Sequence, residues 1–156
     1  MKYFSIVLIA VYAIFNFSCS DLLGIKEVAI TIDSESDLTL YTHSKIKFAI
    51  YGYDTSIADQ AASLLNESVM DLDEIPHKFI ILCDESWNSK ITPVALKKYN
   101  YYIAIKTDIN NDSIVNAYDY GQDYIKTPPY FTSSLANLTQ TIFIKQNSTN
   151  ASNQTF

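Results

Sequence analysis

Apolar and polar residues alternate with a period of two through most of this chain, the spacing of half-buried strands and not of helices. Val28, Ile30 and Ile32 share one face of residues 27–32; Ile46, Phe48 and Ile50 share one face of residues 45–53, with Lys45, Lys47 and Ala49 on the other. Phe79, Ile81 and Cys83 repeat the pattern after Pro76, as do Tyr99, Tyr101, Ile103 and Ile105 after a loop containing Pro93. The run Asp108-Ile-Asn-Asn-Asp112 is a turn signal, which predicts that residues 113–120 return as the second arm of a hairpin. Residues 138–144 make a further predicted strand. Residues 56–70 read differently: Ser56 and Asp59 suit a helix N-terminus and Ala61, Ala62, Leu64 and Leu65 are good helix formers, so taken alone this stretch predicts a helix.

Short strands divided by turn signals, with no regular interleaving of long helices, predict a mainly β fold: a small antiparallel β-sandwich or barrel of about seven strands. Its expected extent is residues 27–145, the size of one domain with one core. Residues 146–156, almost all Gln, Asn, Ser and Thr, are expected to form a disordered polar tail.

The first residues follow another pattern. Lys2 precedes an apolar run over residues 3–15 broken by Ser5, and Asn16-Phe-Ser-Cys19 then brings in small and polar side chains. A positive start, an apolar stretch and a small-residue junction make a secretory signal sequence, and the run is shorter than the roughly 20 residues of a permanent membrane helix. Ser18 directly before Cys19 resembles the lipobox of bacterial lipoproteins, although Asn16 stands where an aliphatic residue is usual. Residues 1–18 are therefore expected to be cleaved between Ser18 and Cys19, Cys19 to carry the lipid, and residues 19–26 to act as a tether. Ordinary signal-peptidase cleavage nearby is the competing route. Ser20 after the cysteine, where an aspartate commonly marks inner-membrane retention, favours the outer membrane with the domain facing the periplasm. With lipid on Cys19, Cys83 is expected to be a small buried apolar side chain; a Cys19–Cys83 disulfide is the alternative.

Composition narrows the chemistry. A chain 48% hydrophobic and 18% charged has enough to bury and should fold as a globule. The net charge is −6 and all 11 cationic side chains are lysines, so no nucleic acid partner is expected, since phosphate recognition draws on basic stripes and guanidinium forks. His43 and His77 are the near-neutral acid–base groups and neither lies in a nucleophile motif. No catalytic residues are expected, and no cofactor beyond the covalent lipid. His77 lies near Asp71, Asp73 and Glu74 without a second His or Cys at ligand spacing, and Asp108-x-Asn110-x-Asp112 lacks the glycine and terminal glutamate of a calcium loop, so no metal site is expected. Asp84-Glu85 reads as a strand end meeting solvent. Aromatic residues carry the binding potential: Tyr51 and Tyr53 point away from the Ile46 face, and Tyr118, Tyr120, Tyr124, Tyr130 and Phe131 crowd the region after the hairpin. These five are the candidate partner-binding residues, flanking a strand edge; the competing reading is that they cover the core.

In the order of its residues the chain resembles the YbaY-like lipoproteins, grouped with the YscW-type lipoprotein chaperones, or pilotins, of type III secretion systems. The residues that carry this are the strand from Ile46 to Tyr53 running into Asp54-Thr-Ser56-Ile-Ala58-Asp59, then Ala62, Leu64-Leu65, Pro76, Phe79, Ile81, Asp84, Ile91, Pro93 and the alternation Tyr99, Tyr101, Ile103, Ile105. Asn110-Asn111-Asp112 replaces a turn that is usually Gly-rich, and Cys83 stands where a tyrosine is common. The resemblance implies a small β-sandwich and turns residues 62–69 from helix to strand. It also implies an outer-membrane lipoprotein that binds an envelope protein such as a secretin in support of a secretion system; general envelope maintenance is equally compatible. The alternative is a secreted or surface protein that makes adhesive contacts through its tyrosines, with sugars on the Asn-x-Ser/Thr triplets starting at Asn66, Asn111, Asn137, Asn147, Asn150 and Asn153.

Overall fold

The computed structural model describes residues 25–127, 130–131, 138–148 and 153–156. Its strands, in chain order, are β1 (Ile25–Asp33), β2 (Lys45–Asp54), β3 (Ser63–Asp71), β4 (His77–Asp84), β5 (Tyr99–Asp108), β6 (Ile114–Val115), β7 (Tyr120–Gln122), β8 (Tyr130–Phe131), β9 (Leu138–Gln146) and β10 (Gln154–Thr155). A 3-10 turn, Glu85–Lys90, follows β4. The predicted lipid-bearing Cys19, Ser18 before it, the leader and most of the tether lie outside the described residues.

One curled, mostly antiparallel sheet of seven strands in the order β3-β2-β5-β7-β9-β1-β4 makes up the fold, and β8 adds to β5. Since β2 pairs with β5 along its whole length, from Asp54 opposite Tyr99 to Lys45 opposite Asp108, β7 and β8 share the other side of β5. The curl brings distant strands face to face: Phe48 of β2 stacks on Phe79 of β4, with ring centroids 5.2 Å apart. Between the two halves lies the apolar set read from the alternation, including Val28, Ile30, Ile32, Ile46, Phe48, Ile50, Ile81, Tyr101, Ile103 and Ile105. This half-barrel has the mainly β, sandwich-like character expected of the chain. Burying each large aliphatic side chain contributes about 1.5–3 kcal/mol, so the alternating stripe is what drives the curl to close.

Residues 63–71 form a strand, as the family resemblance implies and against their helix propensity. Pairing with β2 decides the matter, with Lys45 opposite Asp71 and Gly52 opposite Ser63 and a bulge near Ile50 and Tyr51. That bulge sends Leu65 inward, 2% exposed, where it lies within reach of Gly52; a Cβ on Gly52 would stand 2.8 Å from Leu65 Cδ1 and 2.9 Å from Ile91 Cδ1. A bare glycine is what permits this approach. Cys83 is a free, buried thiol whose burial pushes its pKa up to about 11, in line with its expected role as core filler.

Two expectations are corrected, on residues 113–120 and on the chain beyond β9. Residues 113–120 do not form one hairpin arm. After Asp108 the chain makes a compact loop with Asn111 and Ser113 at φ 57° and 65°, touches down briefly as β6, and rejoins the sheet only at Tyr120, with Lys106 opposite Gly121. Within this antiparallel-rich sheet, β9 runs parallel to β1, with Val28 opposite Leu138 and Asp33 opposite Phe143. Finally, the chain beyond β9 is not uniformly a disordered tail. Gln154 pairs with Val115 and Thr155 with Ile114, and the Phe156 amide donates to the Ser113 carbonyl at 3.1 Å. The unpaired backbone of β6 supplies partners that side-chain composition does not reveal.

Candidate partner-binding surface

The buried carboxylates are the first place to look for chemistry, and each is engaged by backbone. Asp54, at the end of β2, is wholly buried. Its Oδ1 accepts from the Ser56 amide at 3.0 Å, and its Oδ2 from the amides of Ala95, Leu96 and Lys97 at 2.9, 3.0 and 2.9 Å. Three successive amides can converge on one oxygen because Lys97 adopts a left-handed φ of 55°. Burial by itself would raise the carboxyl's pKa; the Ser56 hydroxyl and the amides of Ser56, Ala95 and Lys97 outweigh it and hold the group well below the ordinary carboxylate range. Asp54 therefore pins the loop before β5 to the end of β2.

Asp108 and Asp119, each 1% exposed, do the same for the loop after β5. Asp108 accepts from Asp112 and Ser113 at 3.1 and 2.8 Å, and Asp119 accepts from Ile109 and Asn116, both at 2.7 Å. The Asp108-x-Asn110-x-Asp112 sequence is thus a self-bonded turn, with Asn110 donating to Asp112 at 2.8 Å. Among the described residues no group of three His, Cys, Asp or Glu side chains is placed to hold a metal ion. His43 sits at a positive φ of 73°, and the His77 ring lies 6.1 Å from Phe79.

Among the five aromatic candidates, Tyr118 and Tyr124 border different cavities. Tyr118 is 79% exposed and, with Tyr41, flanks an open cavity of about 290 Å³ whose wall includes Asn110, Asp119 and Gln146. Tyr124, also exposed, borders a different cavity of about 200 Å³ with Lys106, Val115 and Gly121. Its hydroxyl is pushed up, first by burial and then by nearby Tyr51, whose own ring stacks on Tyr102 at 5.0 Å. Tyr120 is a correction: it belongs to the core, its hydroxyl accepts from the Thr39 amide at 3.3 Å, and its amide donates to Thr107 Oγ1 at 2.8 Å. Short β7 places Tyr120 and Gln122 inward on either side of Gly121, so Tyr120 walls both cavities from within. Tyr130 and Phe131 form β8, opposite Tyr102 and Tyr101, so their backbone joins the sheet beside β5.

The free edges lie elsewhere. Among the described residues β3 pairs only with β2 and β4 only with β1. On β3 the edge is charged: Glu67 lies 3.7 Å from Lys47 and Asp71 is ion-paired with Lys45. The Lys45 hydrogen bond and charge hold the Asp71 pKa below its ordinary value. Charge of this kind is a common guard against strand addition. β4 differs. Its interior, Phe79 to Cys83, holds no charge; Phe79, Ile81 and Cys83 face the core, while Ile80 and Leu82 are 61% and 59% exposed. A strand apolar on both faces at a sheet edge leaves unpaired backbone groups beside uncovered apolar side chains. In sequence, the unbroken run Phe-Ile-Ile-Leu-Cys is the sign of it, since a half-solvated strand would alternate.

Curl, strand order and free edge together can be set against known folds. This fold is similar to that of a pilotin. The solved structure of an alternative pilotin from the type II secretion system of Vibrio cholerae matches with a TM-score of 0.50 and 12% sequence identity, over 80% of this chain and 98% of that pilotin chain. At that identity the pilotin likeness is one of fold alone. No family model matches the chain, and no curated protein matches it.

Proposed function

We propose that this chain is an exported lipoprotein, anchored to the outer membrane through Cys19, whose β-domain binds an extended segment of an envelope protein along β4 in pilotin-like support of a secretion system. The observation that carries this is the β4 edge, where Ile80 and Leu82 stand exposed and, among the described residues, no strand pairs on the side away from β1. An incoming strand gains affinity from main-chain hydrogen bonds and selectivity from side chains that cover every second residue. The likeness in fold to a pilotin supports the reading, and the sequence of the leader supports the anchor. Delivery of a secretion-channel subunit is the role that joins the two.

A photoreactive residue at Leu82 in intact cells tests this. Capture of a secretin or another secretion-channel subunit is expected from Leu82 and not from Val69 on the guarded β3 edge. Ile80→Lys should abolish that capture with little change in stability, since exposed substitutions usually stay within about 0.5 kcal/mol. Capture unaffected by Ile80→Lys, or none from Leu82, overturns the reading; capture of a different envelope protein moves it to general maintenance.

A further inference from the structure

We propose that the outer face beside Ile114–Val115 is a strand-acceptor site, filled in cis by Gln154–Thr155, and that its occupant in trans is an extended protein segment with a carboxylate two residues before an aromatic ring. The site is built from β6, which offers backbone to Gln154 and Thr155, and from two lysines on the outer face of the neighbouring strands. Lys47 and Lys106 stand directly opposite one another across β2 and β5. Like charges so placed repel; Glu67, 3.7 Å from Lys47, offsets that lysine in part, and an occupant with electron-rich groups, above all one beside Lys106, relieves the rest.

The chain's own segment meets that demand in part. Gln154 and Phe156 lie two residues apart, so in an extended backbone they share a face. Gln154 Oε1 accepts from Lys106 Nζ at 3.0 Å, and the Phe156 ring lies 5.4 Å from Lys47 Nζ, within range of a cation–π contact. The ring is a good match, but the amide oxygen is a neutral acceptor where a carboxylate would make a charge-assisted bond. The segment also leaves space: the cavity of about 200 Å³ next to Gln154 is lined by Lys106, Val115, Gly121 and Tyr124. Two paired residues, the Phe156 amide bond to Ser113, one side-chain hydrogen bond and one ring contact, all at the surface, make a hold weak enough to exchange. A longer acidic-x-aromatic strand can displace it, extending along β6 and over Tyr124. The site uses no residue of β4, so its test and that of the β4 reading fail separately.

The probes are two capped five-residue peptides, Ser-Asn-Glu-Thr-Phe and Ser-Asn-Gln-Thr-Phe, titrated into the chain and into the chain with residues 153–156 deleted, and followed through the Ile114 and Val115 amide resonances. The deleted chain should bind the glutamate peptide several-fold more tightly than the intact chain, because a tethered competitor acts at roughly millimolar effective concentration. The glutamate peptide should bind about two- to fivefold more tightly than the glutamine peptide. That preference should vanish at about 1 M salt and in Lys106→Gln, an exposed change that leaves the sheet intact. Equal binding of the two peptides at low salt, equal binding by intact and deleted chains, or shifts that bypass Ile114 and Val115 overturns the proposal.

Discussion

Phe48→Ala tests the central feature of the architecture, the meeting of the two ends of the curled sheet. The ring is 4% exposed and stacks on Phe79 at a centroid distance of 5.2 Å with an interplanar angle of 24°. Removing it takes away apolar surface that β4 covers and leaves a cavity between sheet halves that strand pairing holds apart, so collapse is limited. The expected cost is ~3–5 kcal/mol, a large part of the total stability of a domain. At ~3–4 °C per kcal/mol for a domain of this size, the melting temperature should fall by ~10–20 °C. Lys47→Ala, one residue away on the outer face, removes a partly exposed ion pair with Glu67 and the contact with the Phe156 ring and should cost about 1 kcal/mol. Urea and thermal unfolding of both variants, together with Phe79→Ala and the double variant, complete a cycle. A coupling of about 0.5–1.5 kcal/mol between the two rings is expected. Equal melting temperatures for the Phe48 and Lys47 variants would refute the inward assignment, and zero coupling would refute the facing of β2 and β4.

The buried Asp54 carboxylate predicts a pH dependence with a definite sign. Its pKa is depressed in the folded chain, so its contribution is present in full above the unfolded value of about 3.9 and is lost as pH falls below it. Asp54→Asn should therefore be less stable than the parent at neutral pH, with the gap narrowing towards about pH 3; urea midpoints that stay equally far apart at both pH values count against the carboxylate's role. At the N-terminus, Cys19→Ser should abolish palmitate labelling and release the protein from the membrane fraction. Labelling that survives the change shows the anchor to be elsewhere.

The alternation of Val28, Ile30 and Ile32, of Ile46, Phe48 and Ile50, of Phe79, Ile81 and Cys83 and of Tyr99 to Ile105 was enough to name the strands and their buried faces, because a period-two pattern is written in neighbouring residues. Cys83 as core filler and the Asp108 to Asp112 turn were legible for the same reason. What only the tertiary structure decided involves residues far apart in the chain. Helix propensity in residues 63–71 yielded to pairing with β2, which local composition cannot weigh. The inward turn of Tyr120 depends on a register set by Lys106 opposite Gly121, and a shift of one residue would have put Tyr120 outside. The parallel pairing of β1 with β9 and the return of Gln154–Thr155 to β6 join segments more than a hundred and about forty residues apart. So too the surface proposed for binding: an apolar run such as Phe79 to Cys83 is the same string in a central strand and at an edge, and only the strand order leaves Ile80 and Leu82 uncovered.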